Sequence, residues 1–438
     1  MSGPSAVEIF RATIFHTPSN AFTDAKALIA LADGGLAVEQ GRIAGCGDYA
    51  QIAAAHPHAE VRDWRGGFII PGLIDAHVHY PQARILGGIG YSLLDWLDQL
   101  TLPEEERFAD SAYATDVARG FIAALVSHGT TTAMVFGSHF MEATAALFAA
   151  AEANGLRIFS GLVLADRLLR SDLHQTPDRA YRLSKALIAR FHGSGHLGYA
   201  VTPRFALSST EGMLEVCQTL LDEDSTLRFT THINENVREV EEVARLFPWA
   251  NDYLGVYERF GLIGRRSVLA HNVHASEAEI GRLAGHGAAI AHCPSSNAAL
   301  GSGIFSMKRH IRHGVCCALG TDVGGGTGFG MLKEALQAYL MQRVALEPVT
   351  LSAAQMLYLA TRAGAEALGL NDETGDFNPG KAADFVYLQP PAGGILASVV
   401  DRAQSLERVL PALVMLAGTE SIREIRVEGE VVFANDAR

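Results

Sequence analysis

His77 and His79 stand one residue apart at the end of an apolar run, and on a strand two residues at that spacing project to the same side. Val78 between them faces the other way, so two imidazoles converge on one point. Imidazole nitrogen ligates divalent transition metals, and a tetrahedral or five-coordinate site needs further His, Cys, Asp or Glu donors. Later apolar runs offer them: His232 at the end of one, His271 in the next and Asp322 closing the last. Singly, each reads more simply as a satisfied core histidine or a capping aspartate. Their recurrence at run ends points to a metal centre. A second H-x-H, His56-Pro57-His58, lies in a polar stretch without strand periodicity and is read as surface.

The elements that must position these residues are legible as eight short apolar or β-branched runs, at 68–80, 130–136, 157–165, 197–205, 228–235, 267–274, 288–296 and 315–323. Helical stretches separate them: 211–221 follows the cap candidates Ser209 and Thr210, and Ser276-Glu277-Ala278-Glu279 reads as a capping box. Alternation of this kind predicts an α/β fold, a (β/α)₈ TIM barrel with its active site at the C-terminal mouth of the strands. Residues 1–66 and 375–438 have a different texture, short strand-like pieces with turns, and are expected to meet as one small β domain beside a catalytic barrel at 67–374. A single helical segment at 350–369, capped by Thr350 and stopped by Gly369, is expected to join barrel and tail.

Composition excludes several function classes. With 35 Lys and Arg against 48 Asp and Glu, a formal charge of −13 and no dense basic run, a nucleic-acid surface is not expected. The N-terminus lacks a signal-peptide pattern, and the longest apolar tract, 143–164, is interrupted by Glu152, Asn154 and Arg157, so no membrane partner is expected. Five cysteines, an odd number with Cys316 and Cys317 adjacent, suit reduced thiols and a cytoplasmic location. Glycines 324–326 and 328 resemble a phosphate cradle, but no G-K-[ST] follows; they are read as allowing close backbone approach beside Asp322. His58-Ala59-Glu60 matches half of a cytidine-type deaminase signature whose P-C-x-x-C is missing, and no H-E-x-x-H is present.

The order H-x-H, His, His, Asp on successive strands, flanked by terminal β segments, resembles the amidohydrolase superfamily over nearly the whole chain. Within it, PGLIDAHVHYPQ, TPRF, HINEN, AHCPSSN and ALGTDVGGG resemble the guanine deaminase family. That resemblance implies a zinc-dependent aminohydrolase converting guanine to xanthine and ammonia. His77, His79, His232 and Asp322 would ligate one zinc per chain, and His271 would contact the metal-bound water. The fourth run, 197–205, has no lysine to bridge two metals, in keeping with a single ion. Zinc lowers the pKa of its water toward about 7, giving a nucleophile for C2 of guanine. Glu235, three residues after His232, is expected to move the proton to N3, with Asp322 taking the second proton. Gln82, Arg204 and Phe205 are the expected substrate contacts: an amide for the purine edge, a planar fork for O6 and a stacking face. A homodimer is implied by the family. The alternative reading is a mononuclear aminohydrolase of a related ring, such as 8-oxoguanine, ammeline or a triazine. The segment LTLPEEERF departs from the family in carrying Leu102 where Phe is usual, and bears on substrate range.

Overall fold

In the computed structural model, which describes residues 7–435, the strand-like runs sort into two sheets. The chain starts with β1 (Glu8–His16), β2 (Ile29–Glu39), β3 (Arg42–Asp48) and β4 (Glu60–Pro71). It then enters the barrel through β5 (Leu73–His79), β6 (Thr130–Phe136), β7 (Arg157–Gly161), a two-residue β8 (Val163–Leu164), β9 (Leu197–Pro203), β10 (Arg228–Ile233), β11 (Ser267–His271), β12 (Ala289–His292) and β13 (Cys316–Leu319). It returns to the first sheet with β14 (Phe385–Leu388), β15 (Ile422–Val427) and β16 (Glu430–Ala434). The terminal sheet has the order β16-β15-β14-β4-β1-β2-β3, so both ends of the chain build it, as expected.

The barrel strands run parallel in chain order from β5 to β13, with β8 pairing alongside on β9. Most are buried along their whole length, which explains why they read as near-continuous apolar runs. The ring closes just beyond the end of β13, where the Asp322 amide donates to the His77 carbonyl at 2.9 Å and the His79 amide to the Val323 carbonyl at 3.1 Å. The closing bonds therefore lie at the two H-x-H residues and beside the aspartate. Helices fill the intervals. Thr210 caps Glu211–Glu223, and Ser276 with Glu279 forms the expected capping box on Glu277–His286.

Two expectations change. Residues 68–80 are not one barrel strand: Phe68–Pro71 pairs antiparallel with β14 in the terminal sheet, and only Leu73–His79 pairs with β6. The chain crosses between sheets at Gly72, where a Cβ would lie 2.1 Å from Thr131 Oγ1. Two abutting apolar strands and one long strand look alike in sequence. The segment at 350–369 is likewise two helices, Ala353–Ala360 and Arg362–Ala367. Thr361 breaks them, with φ −132° and ψ −91° and its hydroxyl donating to the Leu357 carbonyl at 2.6 Å. The cap is Ser352, in a capping box with Gln355; Thr350 instead accepts from Arg343. Gly369, with φ +65°, marks the end as expected.

Candidate metal centre and active site

The geometry begins with the strand ends. Four of the seven non-glycine residues with positive φ among the described residues lie at the barrel mouth: Asn234, His271, Asn272 and Asp322. Backbone held in this sparsely populated region is characteristic of functional sites, where surrounding contacts impose it. Asp75 supplies one such contact inside the barrel: its carboxylate accepts from the Thr321 amide at 3.0 Å, the Thr321 hydroxyl at 2.5 Å and the His77 amide at 3.2 Å. It thereby ties β5 to the residue before Asp322. Burial raises the Asp75 carboxyl to about 7.

His77, His79, His232 and Asp322 are brought together, with one donor atom from each lying within 4.8 Å of the others. His79 Nε2 is 3.1 Å from both His77 Nε2 and His232 Nε2. Asp322 Oδ1 is 3.3 Å from His77 Nε2 and 3.2 Å from His79 Nε2. Donors around a tetrahedral ion with bonds of about 2.1 Å stand about 3.4 Å apart, so these close contacts fit a divalent metal. The His232 tautomer fits too. His232 Nδ1 donates to the Arg204 carbonyl at 2.6 Å, which leaves the Nε2 lone pair facing its neighbours. Burial lowers the pKa of all three histidines, that of His79 to about 4, so they are neutral ligands at pH 7. Phe136 packs against the rings of His77, His79 and His232, fixing their planes with an apolar wall.

His271 stacks on His232 with ring centroids 5.4 Å apart, and its Nδ1 lies 2.9 Å from Asn297 Oδ1. That contact makes Nδ1 the donor and turns the Nε2 lone pair inward, 3.5 Å from Glu235 Oε2 and 3.8 Å from Asp322 Oδ2. Glu235 is buried, and Ser302 Oγ donates to its Oε1 at 3.4 Å. Burial first, then the nearby carboxylates Glu239 and Asp322, raises the Glu235 carboxyl well above its ordinary value. Its backbone is held by Glu239, whose Oε2 accepts from the amides of Glu235 at 3.0 Å and Asn236 at 3.2 Å, the latter closing a capping box on Val237–Leu246. Asn234 is anchored through Nδ2 to Asn272 at 3.1 Å and Glu279 at 3.0 Å.

A narrow cleft opens over this cluster. Its lining includes His79, Gln82, Arg204, Phe205, His232, Glu235, His271 and Asp322, so every site residue expected from the sequence converges here, with His77 directly beneath in contact with His79. The Gly324 amide donates to Gln82 Oε1 at 3.3 Å, and a Cβ on Gly324 would lie 2.6 Å from the Gln82 carbonyl. The glycine run thus permits close approach, as expected. His56 and His58 lie between the helix Tyr49–Ala55 and β4, outside the barrel.

Sequence reasoning missed the residues behind this first layer. Leu93, Trp96, Leu97 and Leu300 complete the cleft wall. Glu105 is buried, with Oε2 accepting from Arg204 Nη1 at 2.6 Å and lying 3.3 Å from His139 Nε2. Its Oε1 accepts from Gln82 Nε2 at 3.1 Å. Burial alone would raise this carboxyl, but Arg204 and His139 hold it well below the ordinary range.

Known proteins fit this picture. The profile described as Amidohydrolase family matches residues 68–432, and one described as Imidazolonepropionase-like composite domain, bacteria, matches 34–59. A protein of Deinococcus radiodurans named probable guanine deaminase is 55% identical over 437 residues, covering 98% of this chain and 100% of its own. The solved structure of E. coli guanine deaminase superposes with a TM-score of 0.94 at 38% identity, covering 98% of this chain and 100% of that one. Guanine deaminase from C. acetobutylicum with bound guanine in the active site superposes with a TM-score of 0.89 at 25% identity, covering 98% of this chain and 100% of that one.

Proposed function

Because the chain belongs to the amidohydrolase family, and within it to the guanine deaminases, we propose that it deaminates guanine to xanthine and ammonia at a centre where His77, His79, His232 and Asp322 hold one zinc ion. The observation that carries this reading is the convergence of four buried metal donors with Glu235, Arg204 and Gln82 in one cleft. The chemistry is assigned to the barrel that begins at Leu73, with residues 8–71 and, from the other end of the chain, Phe385–Leu388, Ile422–Val427 and Glu430–Ala434 supplying the strands of the supporting sheet.

When bound, the divalent ion supplies a nucleophilic water at neutral pH. The chain's own groups do the rest. Arg204 donates to O6 of guanine and Gln82 contacts the purine edge, while Phe205 flanks the ring. Glu235 takes a proton from the water and delivers it to N3 as C2 becomes tetrahedral; burial and the neighbouring carboxylates raise its pKa well above the ordinary value, which favours the protonated form it passes through. His271 accepts a hydrogen bond from the attacking water through Nε2. Asp322 takes the hydroxyl proton and passes it to the 2-amino group, which leaves as ammonia as the C2–N bond breaks and the C2 carbonyl forms.

The test is ammonia release across guanine, adenine, 8-oxoguanine, ammeline and triazines. Guanine is expected to be preferred, and adenine to be a very poor substrate, because its 6-amino group leaves a buried arginine donor unmatched at a cost of roughly 1 to 3 kcal/mol or more. Adenine turnover within threefold of guanine rejects the Arg204 assignment, and a preference for a triazine rejects the substrate.

Among the described residues no helix is long and apolar enough to cross a membrane, and all five cysteines are free thiols, in keeping with a cytoplasmic enzyme of purine catabolism. A homodimer is proposed as its state. Leu340, Val344, Ile395, Val399 and Met415 leave apolar surface exposed on or just beyond three helices that pack in series, Met331–Arg343, Leu406–Leu416 and Ile395–Asp401. Sedimentation at micromolar concentration reads the mass directly.

A further inference from the structure

The segment between β5 and β6 does more than roof the cleft. It contributes Leu93, Trp96 and Leu97 to the wall, and from its short helix Leu102–Glu106 it sends one carboxylate inward. That carboxylate, Glu105, is divided between two residues that reach the cleft from different strands. Oε1 accepts from Gln82, which follows β5, and Oε2 accepts from Arg204, which follows β9.

Both neighbours have conformational freedom that this contact removes. The Gln82 amide could present either end to a ligand; it is fixed because its Nε2 donates to Glu105 and lies 3.1 Å from His79 Nδ1, while its Oε1 accepts from the Gly324 amide. Among the described residues Arg204 is the sole Lys or Arg lining the cleft, and the same cleft holds the carboxylates of Glu235 and Asp322. A buried guanidinium without its own partner would turn to one of them. With Nη1 held by Glu105 at 2.6 Å, the plane of the fork is set and its other N–H groups remain for a ligand.

We propose that Glu105 is a specificity-determining positioning residue: it fixes the Gln82 amide and aims the Arg204 fork at the carbonyl oxygen on C6 of the purine, without itself touching the reacting atoms. His139, 3.3 Å from Oε2, backs the carboxylate from β6's side of the barrel. This inference rests on the reading of Arg204 as the O6 contact.

The test uses the full-length metal-loaded enzyme and two purines. Guanine carries O6, whereas 2-aminopurine keeps the 2-amino group and lacks O6; it is measured as a competitor of guanine, so its turnover is not required. In Glu105→Gln the guanine KM is expected to rise at least tenfold, with kcat falling less than KM rises, while the inhibition constant of 2-aminopurine changes less than threefold. A general loosening of the site would weaken both purines alike. A guanine KM within threefold of wild type, or parallel loss of both affinities, overturns the proposal. Arg204→Lys run beside it separates the two readings. If Arg204→Lys abolishes the advantage of guanine over 2-aminopurine and Glu105→Gln does not, the positioning role fails; if Arg204→Lys leaves that advantage intact, the Arg204 assignment fails first. Should Glu105→Gln not fold, Glu105→Asp carries the same comparison, because it keeps the charge and withdraws the carboxylate by one methylene.

Discussion

Replacing Glu235 by glutamine separates proton transfer from everything else the site does. The amide keeps the shape of the side chain and an oxygen for the Ser302 hydroxyl, which donates to Oε1 at 3.4 Å. The metal donors are untouched, and Gln82 and Arg204 retain their bonds to Glu105. What disappears is a carboxyl whose pKa burial and two neighbouring carboxylates have raised well above 4.5. An amide offers neither transfer.

A single positioned acid or base is worth about 10² to 10⁴ in rate. Glu235 faces both His271, at 3.5 Å, and the metal-ligand cluster, and it is asked to serve two transfers, removal from water and delivery to N3. The expected kcat loss therefore sits at the upper end, about 10⁴ or more, which is about 5 kcal/mol of barrel-mouth transition-state stabilisation at 1.36 kcal/mol per decade. The guanine KM should stay within about threefold, because the loss concerns the transition state and not ground-state binding. The assay is steady-state xanthine formation with metal content measured on the same preparation. A kcat within tenfold of wild type, with metal and fold intact, would refute the assignment and make His271 the next candidate for the shuttle.

Other expectations follow from the same structure. Elemental analysis of active protein should give one zinc per chain, and a strong chelator should remove activity and lower the melting temperature, with zinc restoring both; two ions per chain would contradict a site of four donors. Burial raises the Glu334 carboxyl to about 8, and Ser295 Oγ donates to it at 2.6 Å. A carboxyl whose folded pKa lies above its unfolded value loses its contribution to stability as pH rises, here between about 4.5 and about 8. The wild-type melting temperature should therefore fall more steeply than that of Glu334→Gln from pH 5 to pH 9, and parallel slopes would refute the burial argument. Ser352→Ala should cost about 1 kcal/mol in denaturant unfolding and Thr350→Ala clearly less, since Ser352 makes the capping box; the reverse order would mean the cap lies where the sequence first placed it.

The candidate metal donors, and His271 beside them, were legible because strand ends in a barrel are a repeating address: an apolar run announces the strand, and a donor at its C-terminal end must face the mouth. His77, His79, His232, His271 and Asp322 all obey that rule, although Asp322 lies three residues beyond the last strand residue, Leu319. Glu105 was not legible, and its neighbours explain why. Glu104, Glu105 and Glu106 are consecutive, yet Glu104 pairs with Tyr113 and Arg107, Glu106 with Arg170 across the surface, and Glu105 alone turns toward the cleft residues Gln82 and Arg204. The rotation of about 100° per residue on a helix separates the three, but only the packing of the short helix Leu102–Glu106 fixes which one faces inward.

The same limit governs backbone conformation at the mouth. Glycine is the usual occupant of positive φ and asparagine, aspartate and histidine the next most common, so Asn234, Asn272, His271 (φ +73°) and Asp322 (φ +47°) are all types that tolerate it. Tolerance alone does not say which of the many such residues in the chain adopts it. Tertiary bonds hold them: the His271 ring is held by Asn297 from the helix after β12, and the Asp322 amide by the His77 carbonyl across the barrel seam. The cost of each strained residue is of order 1 to 3 kcal/mol, and it is borne where a side chain must leave the strand's own alternation to meet the metal donors. Residue types and spacing therefore disclose which donors a barrel presents, while the directions in which they point are set by contacts between segments far apart in the chain.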